Sequence, residues 1–173
     1  MTRITLARSA LVAPLLVAVL VAAPAQTPPV TDGWRTFEGR WSAAGERHTL
    51  PTEGDRPATI LRVSGTLVFT NAGGLGRGFR AEAIGFDAGR GDSVGRAVWT
   101  DGRGHQIFSD LKGEAVTTGR KTVGTFTGGT GPYAGVTGDY ELTWKFVVQG
   151  EDAGIQAVTV ALRGRVRLGS ASQ

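Results

Sequence analysis

From Tyr140 onward, large apolar side chains recur at every second position: Tyr140, Leu142, Trp144, Phe146 and Val148 alternate with Glu141, Thr143, Lys145 and Gln149. A period of two puts one set on each face of an extended chain, so this is a β-strand with one dry face; a helix would scatter both sets around its axis. The same period returns along the chain. In Trp34 to Ser42, Phe37, Gly39 and Trp41 alternate with Glu38 and Arg40. Ala43-Ala44-Gly45 then separates a short run, Arg47 to Leu50. Ala58 to Thr70 carries Leu61, Val63, Leu67 and Phe69 on one face, with Gly65 as an expected bend or bulge. Phe79 to Asp87 has a small face of Ala81, Ala83 and Gly85 behind Phe79, suited to close packing of another layer. In the last run, Ile155 to Leu168, Val158, Val160, Leu162, Val166 and Leu168 oppose Arg163, Arg165 and Arg167.

The connections between these runs are built from turn residues. Asn71 to Gly78 holds four glycines, and Asp101-Gly102-Arg103-Gly104 marks a hairpin between Val94 to Thr100 and His105 to Ala115. Thr118 to Lys121 turns the chain into Thr122 to Thr127, and Gln149 to Gly154 leads into the last run. Eight or nine strands joined by short turns, with no segment of 3.6-residue period, predict an all-β domain. A single antiparallel eight-stranded β-barrel is the most economical closure, because it leaves no unpaired edge; a two-sheet sandwich is the alternative.

The chain opens with Met1-Thr2-Arg3, carries Arg8, and runs apolar from Ala10 to Ala23 before Ala23-Pro24-Ala25. A basic start, an apolar stretch too short to span a bilayer and a small-x-small site predict a signal peptide over 1–25, cleaved after Ala25, and hence an exported protein, periplasmic or extracellular; an N-terminal membrane anchor is the alternative, disfavoured by Pro14 within the run and Pro24, Pro28 and Pro29 after it. A flexible leader is expected over 26–33, the barrel domain over 34–169 and a tail over 170–173. No membrane span remains after cleavage. Without Arg3 and Arg8 the net charge falls from +4 to +2. The cations left are scattered, so a nucleic-acid partner is not expected. The absence of cysteine removes a disulfide frame and thiolate metal sites.

The densest stretch is Thr125 to Tyr140, with Gly128, Gly129, Thr130, Gly131, Tyr133 and Gly135 forming a tight connection around one large side chain. Gly129 to Ala134 matches a dinucleotide fingerprint, but a strand follows where a helix N-terminus would have to receive the pyrophosphate. His48 and His105 lie in different segments and make no metal motif, and Ser42, Ser64, Ser93 and Ser109 sit in plain strand or turn contexts rather than at a nucleophile elbow. Neither a metal nor an organic cofactor is expected. Acid–base chemistry has three candidates. Glu82 shares a face with Ile84 and Phe86, and Asp110 shares one with Phe108; inside an apolar interior either would titrate high, with Arg96 as counter-charge. The other reading turns these faces outward, with Ile84 and Phe108 exposed or covered by a neighbouring subunit. Arg163, Arg165 and Arg167 read as a solvated outer face.

Gly124 to Gly138, a strand followed by a Gly-Gly-Thr-Gly-x-aromatic loop, resembles the corresponding loop of dirigent proteins and the allene oxide cyclase barrel group; a looser pattern extends from Gly78 to Trp144 and is similar to exported, uncharacterised bacterial members. This resemblance implies an eight-stranded antiparallel, allene oxide cyclase-like or calycin-like barrel with an apolar cavity, a homo-oligomer (a trimer in that group), and control of cyclisation or coupling without a cofactor. Gly39-Arg40-Trp41 is similar to the Gly-x-Trp of lipocalins and avidins, in which the tryptophan closes the barrel floor, and this marks Trp41 as a ligand-side candidate. Three functions follow as expectations: a barrel binding a small apolar molecule inside, a cofactor-independent cyclase or isomerase, and a non-catalytic cell-envelope structural or interaction protein whose barrel is packed solid.

Overall fold

The computed structural model describes residues 33–53, 56–114, 119–150 and 153–169. The expectations for 1–25, for most of the leader and for 170–173 lie outside these residues, as do Gly54, Asp55, Ala115, Thr118, Glu151 and Asp152 of the expected strand ends and turns. The described residues form β1 (Arg35–Leu50), β2 (Ala58–Asn71), β3 (Gly78–Asp87), β4 (Ser93–Thr100), β5 (Gln106–Gly113), β6 (Lys121–Gly129), a 3-10 turn (Gly131–Tyr133), β7 (Thr137–Gln149) and β8 (Gly154–Arg167). Each strand pairs antiparallel with the next, and β1 pairs with β8, so the sheet closes into an eight-stranded barrel. Closure rules out the sandwich and leaves no edge to guard. Arg163 and Arg165 are cross-strand partners instead, pairing with Glu141 and Asp139 on β7.

The alternation sorts inside from outside over most strands. On β2, Leu61, Val63, Leu67 and Phe69 are buried while Ile60, Arg62 and Val68 face solvent. On β3 the small face, Phe79, Ala81 and Ala83, points inward. Small residues there leave room for the rings of Phe37, Trp99, Phe126 and Tyr140, which cross the interior from other strands.

Four strand readings need correction. β1 runs unbroken through Ala43-Ala44-Gly45, because Gly45 lets the backbone of β2 come so close that a Cβ there would meet the Arg62 carbonyl oxygen. Gly65 is likewise a place of close strand approach, paired in regular register with Ala43, rather than a bulge. On β8 the phase of burial switches. Gly39 pairs with Leu162 and Ser42 with Val158, and on the other side Thr143 pairs with Ala161 and Trp144 with Thr159, so β8 carries one extra residue at Val160. One inserted residue moves the rest of a strand to the opposite face. Ile155, Ala157 and Thr159 therefore point inward before the bulge, Leu162 and Val166 after it, and Val160 faces solvent. The Thr159 hydroxyl anchors the bulge by accepting the Trp41 backbone N–H at 2.8 Å. On β7 a second extra residue, Val147, ends the alternation, leaving Val148 exposed.

Candidate functional site

An up-and-down barrel places alternate connections at opposite ends, and the two ends of this one differ. At the end carrying the β2–β3, β4–β5 and β6–β7 connections, the glycine-rich loop folds back as a plug. Thr130 clamps it to β5: its backbone N–H donates to the Gln106 carbonyl at 2.8 Å, and its hydroxyl accepts the Gln106 N–H at 2.8 Å. Gly131 has φ +56°, and a Cβ there would lie 2.3 Å from the His105 ring, so both backbone and neighbour demand glycine. Gly128 and Gly129 end β6, and Gly135 closes the turn after Tyr133. The Tyr133 ring is buried against Phe79, with ring centroids 5.6 Å apart.

Asp101 collects the polar ends of this plug. One carboxylate oxygen accepts the backbone N–H of Arg103 at 2.8 Å and of His105 at 2.9 Å; the other accepts the Tyr133 hydroxyl at 3.3 Å and lies 3.2 Å from His105 Nδ1. Burial pushes the Asp101 pKa up, but the two amides and the His105 ring outweigh it and hold the carboxyl below its ordinary value. Burial, and then the Asp101 charge, push the Tyr133 phenol up, so it stays protonated and donates. Because the folded pKa of Asp101 lies below 3.8, its stabilising contribution is complete above that pH and is lost as pH falls through the folded value. Urea midpoints measured across the acid range are expected to fall below pH 3.8 in the wild type, with part of that fall missing in Asp101→Asn. Identical slopes would remove Asp101 as the clasp of the plug.

Beneath the plug the interior is filled. Trp99 sits at the hub, with ring centroids 4.8 Å from Tyr140, 5.3 Å from Phe126 and 5.9 Å from Phe69. Among these rings Trp99 Nε1 is a buried donor with no hydrogen-bond partner among the described residues, and Ser109 Oγ and the Tyr140 hydroxyl are buried near each other. Burial pushes the Tyr140 phenol far up, an effect that the nearby Ser109 hydroxyl only partly opposes.

Towards the opposite end a cavity of about 40 Å³ remains, lined on one side by Trp41, Leu142 and Trp144 and on the other by Val63, Ala83 and Gly85. The Trp41 and Trp144 rings are 4.8 Å apart, and Trp41 Nε1 is a buried donor with no partner. Among the described residues, the polar side chains that line it are Ser93 and Thr122. Trp41 is thus placed at this cavity. The acid–base candidates are not: Glu82, Arg96 and Asp110 stand on the outer wall, with Arg80 2.9 Å from Glu82 and Arg96 3.2 Å from Asp110. The alternation of β3, β4 and β5 gives the reason, since Ala83, Ala97 and Ser109 take the inward positions beside them. His48 is on the outer wall, near Glu46. Sequence reasoning missed Trp144 as the partner of Trp41 and Asp101 as the centre of the plug; an aspartate opening a Gly-rich hairpin was the available signal for the second.

No family model matches this chain, and no curated protein matches it. Among solved structures it is similar to that of a pterocarpan synthase dirigent protein, with 10% identity and a TM-score of 0.43, over 81% of this chain and 90% of that one. The closed barrel described above rests on the strand register of this chain.

Proposed function

We propose that this protein is an exported, cofactor-free binding barrel that holds a small, mainly apolar guest, or the end of a longer one, against Trp41 and Trp144. The observation that carries this reading is the cavity towards the end opposite the plug, apolar on most sides and bordered by a tryptophan whose buried N–H has no acceptor among the described residues. A guest carrying one acceptor oxygen would relieve that donor, whose burial unpaired costs about 1–3 kcal/mol. Drug-sized ligands occupy roughly 300–1,000 Å³. A void of about 40 Å³ therefore limits the guest to a few heavy atoms. The resemblance of the Gly124 to Gly138 loop to dirigent and allene oxide cyclase barrels supports a binding interior. The cyclase or isomerase alternative would need an acid or base at the void, and among the described residues that line it the polar ones, Ser93 and Thr122, are weak candidates for either role.

Gly85 offers the test. A Cβ there meets only the Val94 carbonyl oxygen, at 3.7 Å, so a larger side chain has room and points at the cavity. Gly85→Val is expected to raise stability by up to about 1 kcal/mol, by filling space and restricting the unfolded chain. It is also expected to abolish the shift in tryptophan emission that a three- or four-carbon ketone produces in the wild type. A wild type that gives no shift, or a variant that binds as before, would end the binding reading.

A second reading, an interaction protein with a packed barrel, is favoured by a row of apolar side chains on the outer wall of β2, β3 and β4.

A further inference from the structure

The outer wall carries an apolar patch that the barrel interior does not explain. Ile60 on β2, Phe86 on β3 and Val94 on β4 are direct cross-strand partners on the solvent side, and Ile84 stands one outward position along β3. All four are large and open to solvent, from 47% for Phe86 to 59% for Ile84. Outward positions of an exposed barrel wall are normally polar, so four adjacent apolar residues there imply a partner.

The flanks say which kind. In the neighbouring row Arg62 pairs across with Ile84, and Ile84 with Arg96; at the end of the first row Val94 pairs with Lys112. The single carboxylate bordering the groove beside the patch, Asp110, is already engaged with Arg96 at 3.2 Å. Arg62 and Lys112 have no ion-pair partner among the described residues, and they stand on either side of the apolar row. A second copy of this chain would bring its own Arg62 and Lys112 to the contact, whereas an anionic surface brings only acceptors for them. A surface that accepts apolar groups at its centre and supplies negative charge around them fits, and on the convex wall of a barrel the apolar residues can enter an interface while the long Arg and Lys stems reach outward to headgroups.

We propose that the β2–β4 face of this barrel docks on an anionic phospholipid surface, with Ile60, Ile84, Phe86 and Val94 entering the acyl boundary and Arg62 and Lys112 contacting headgroup phosphates. This is surface docking and involves no spanning strand.

The test is sedimentation with phosphatidylglycerol vesicles and with phosphatidylcholine vesicles, using wild type and variants that share one N-terminus, so that any contribution from segment 1–25 is common to all. The wild type is expected to bind the anionic vesicles well above the neutral ones. Phe86→Ser is expected to weaken binding about tenfold through lost apolar contact. Arg62→Gln and Lys112→Gln are each expected to weaken it about fivefold and to reduce its salt sensitivity. All these side chains are exposed, and an unchanged thermal transition in each variant would confirm that the barrel is intact. Equal binding to both vesicle types, or variants that bind like wild type, would overturn the proposal. So would light scattering that shows a dimer dissolved by Phe86→Ser, which would assign the face to self-association, and so would binding of an acidic protein at this face without any vesicle binding.

Discussion

Trp99→Ala is expected to lower the melting temperature by about 10 °C or more. Trp99 is fully buried at the centre of the ring cluster, in contact distance of rings from β1, β2, β3, β6 and β7. Truncating a buried tryptophan costs about 3–5 kcal/mol, from lost transfer energy and from a cavity that a closed barrel wall cannot collapse to fill. Against a total stability of about 5–15 kcal/mol this is a large fraction, and each kcal/mol corresponds to about 3 °C in a domain of this size. Trp99→Phe is expected to cost much less, because it keeps a ring in the hub while removing an indole N–H that has no partner. A melting temperature in Trp99→Ala within about 3 °C of wild type would mean that the barrel is not packed around this residue.

Gly65→Ala is expected to be the next most costly single change, about 3 kcal/mol, read as a fall in the urea midpoint at unchanged slope. Alanine ordinarily stabilises a strand relative to glycine by about 0.5–1 kcal/mol, so the expected sign is reversed. The cause is contact with backbone. A Cβ at Gly65 would lie 2.0 Å from the Ser42 carbonyl oxygen and 2.6 Å from the Ala43 Cα, and no side-chain rotation can relieve either. Gly45 makes the reciprocal approach to Arg62, so the pair lets β1 and β2 coil tightly where both strands are long. The contrast with Gly85, where the neighbouring carbonyl is 3.7 Å away, makes the comparison internal: one glycine is filled at a gain and the other at a loss. A neutral Gly65→Ala would show that the strands stand further apart.

Much of the fold was legible before the structure. Tyr140, Leu142 and Trp144 point inward as their alternation predicts, and the Asp101 to Gly104 hairpin forms as read, with Gly104 donating to the Asp101 carbonyl at 3.0 Å. The misreadings cluster where local pattern and pairing part company. Val160 belongs to an apolar set by composition, yet it is the extra residue of a bulge, and a bulge is a property of two strands in register. The break assumed at Ala43 to Gly45 fails for a similar reason: small residues that look like a turn in one strand are what permits close contact with another. Site residues were harder still. Glu82 and Ala83 are neighbours in a strand, and only the phase of β3 against the closed wall places the carboxylate outside and the methyl inside.

The sequence by itself determined the class of structure, because period-two alternation and glycine turns are local properties that each segment carries alone, and because many short antiparallel strands are most economically completed by closure. It also named the loop that plugs one end, since its glycines and Tyr133 are encoded contiguously. Only the tertiary structure decided that β1 meets β8, that Trp41 comes to rest against Trp144, that a small void remains beside them, and that Ile60, Phe86 and Val94 align into one outer row. The physical reason is register: which residues become neighbours across a sheet depends on bulges and strand offsets summed around the whole barrel, and that sum is fixed only when the last strand closes on the first.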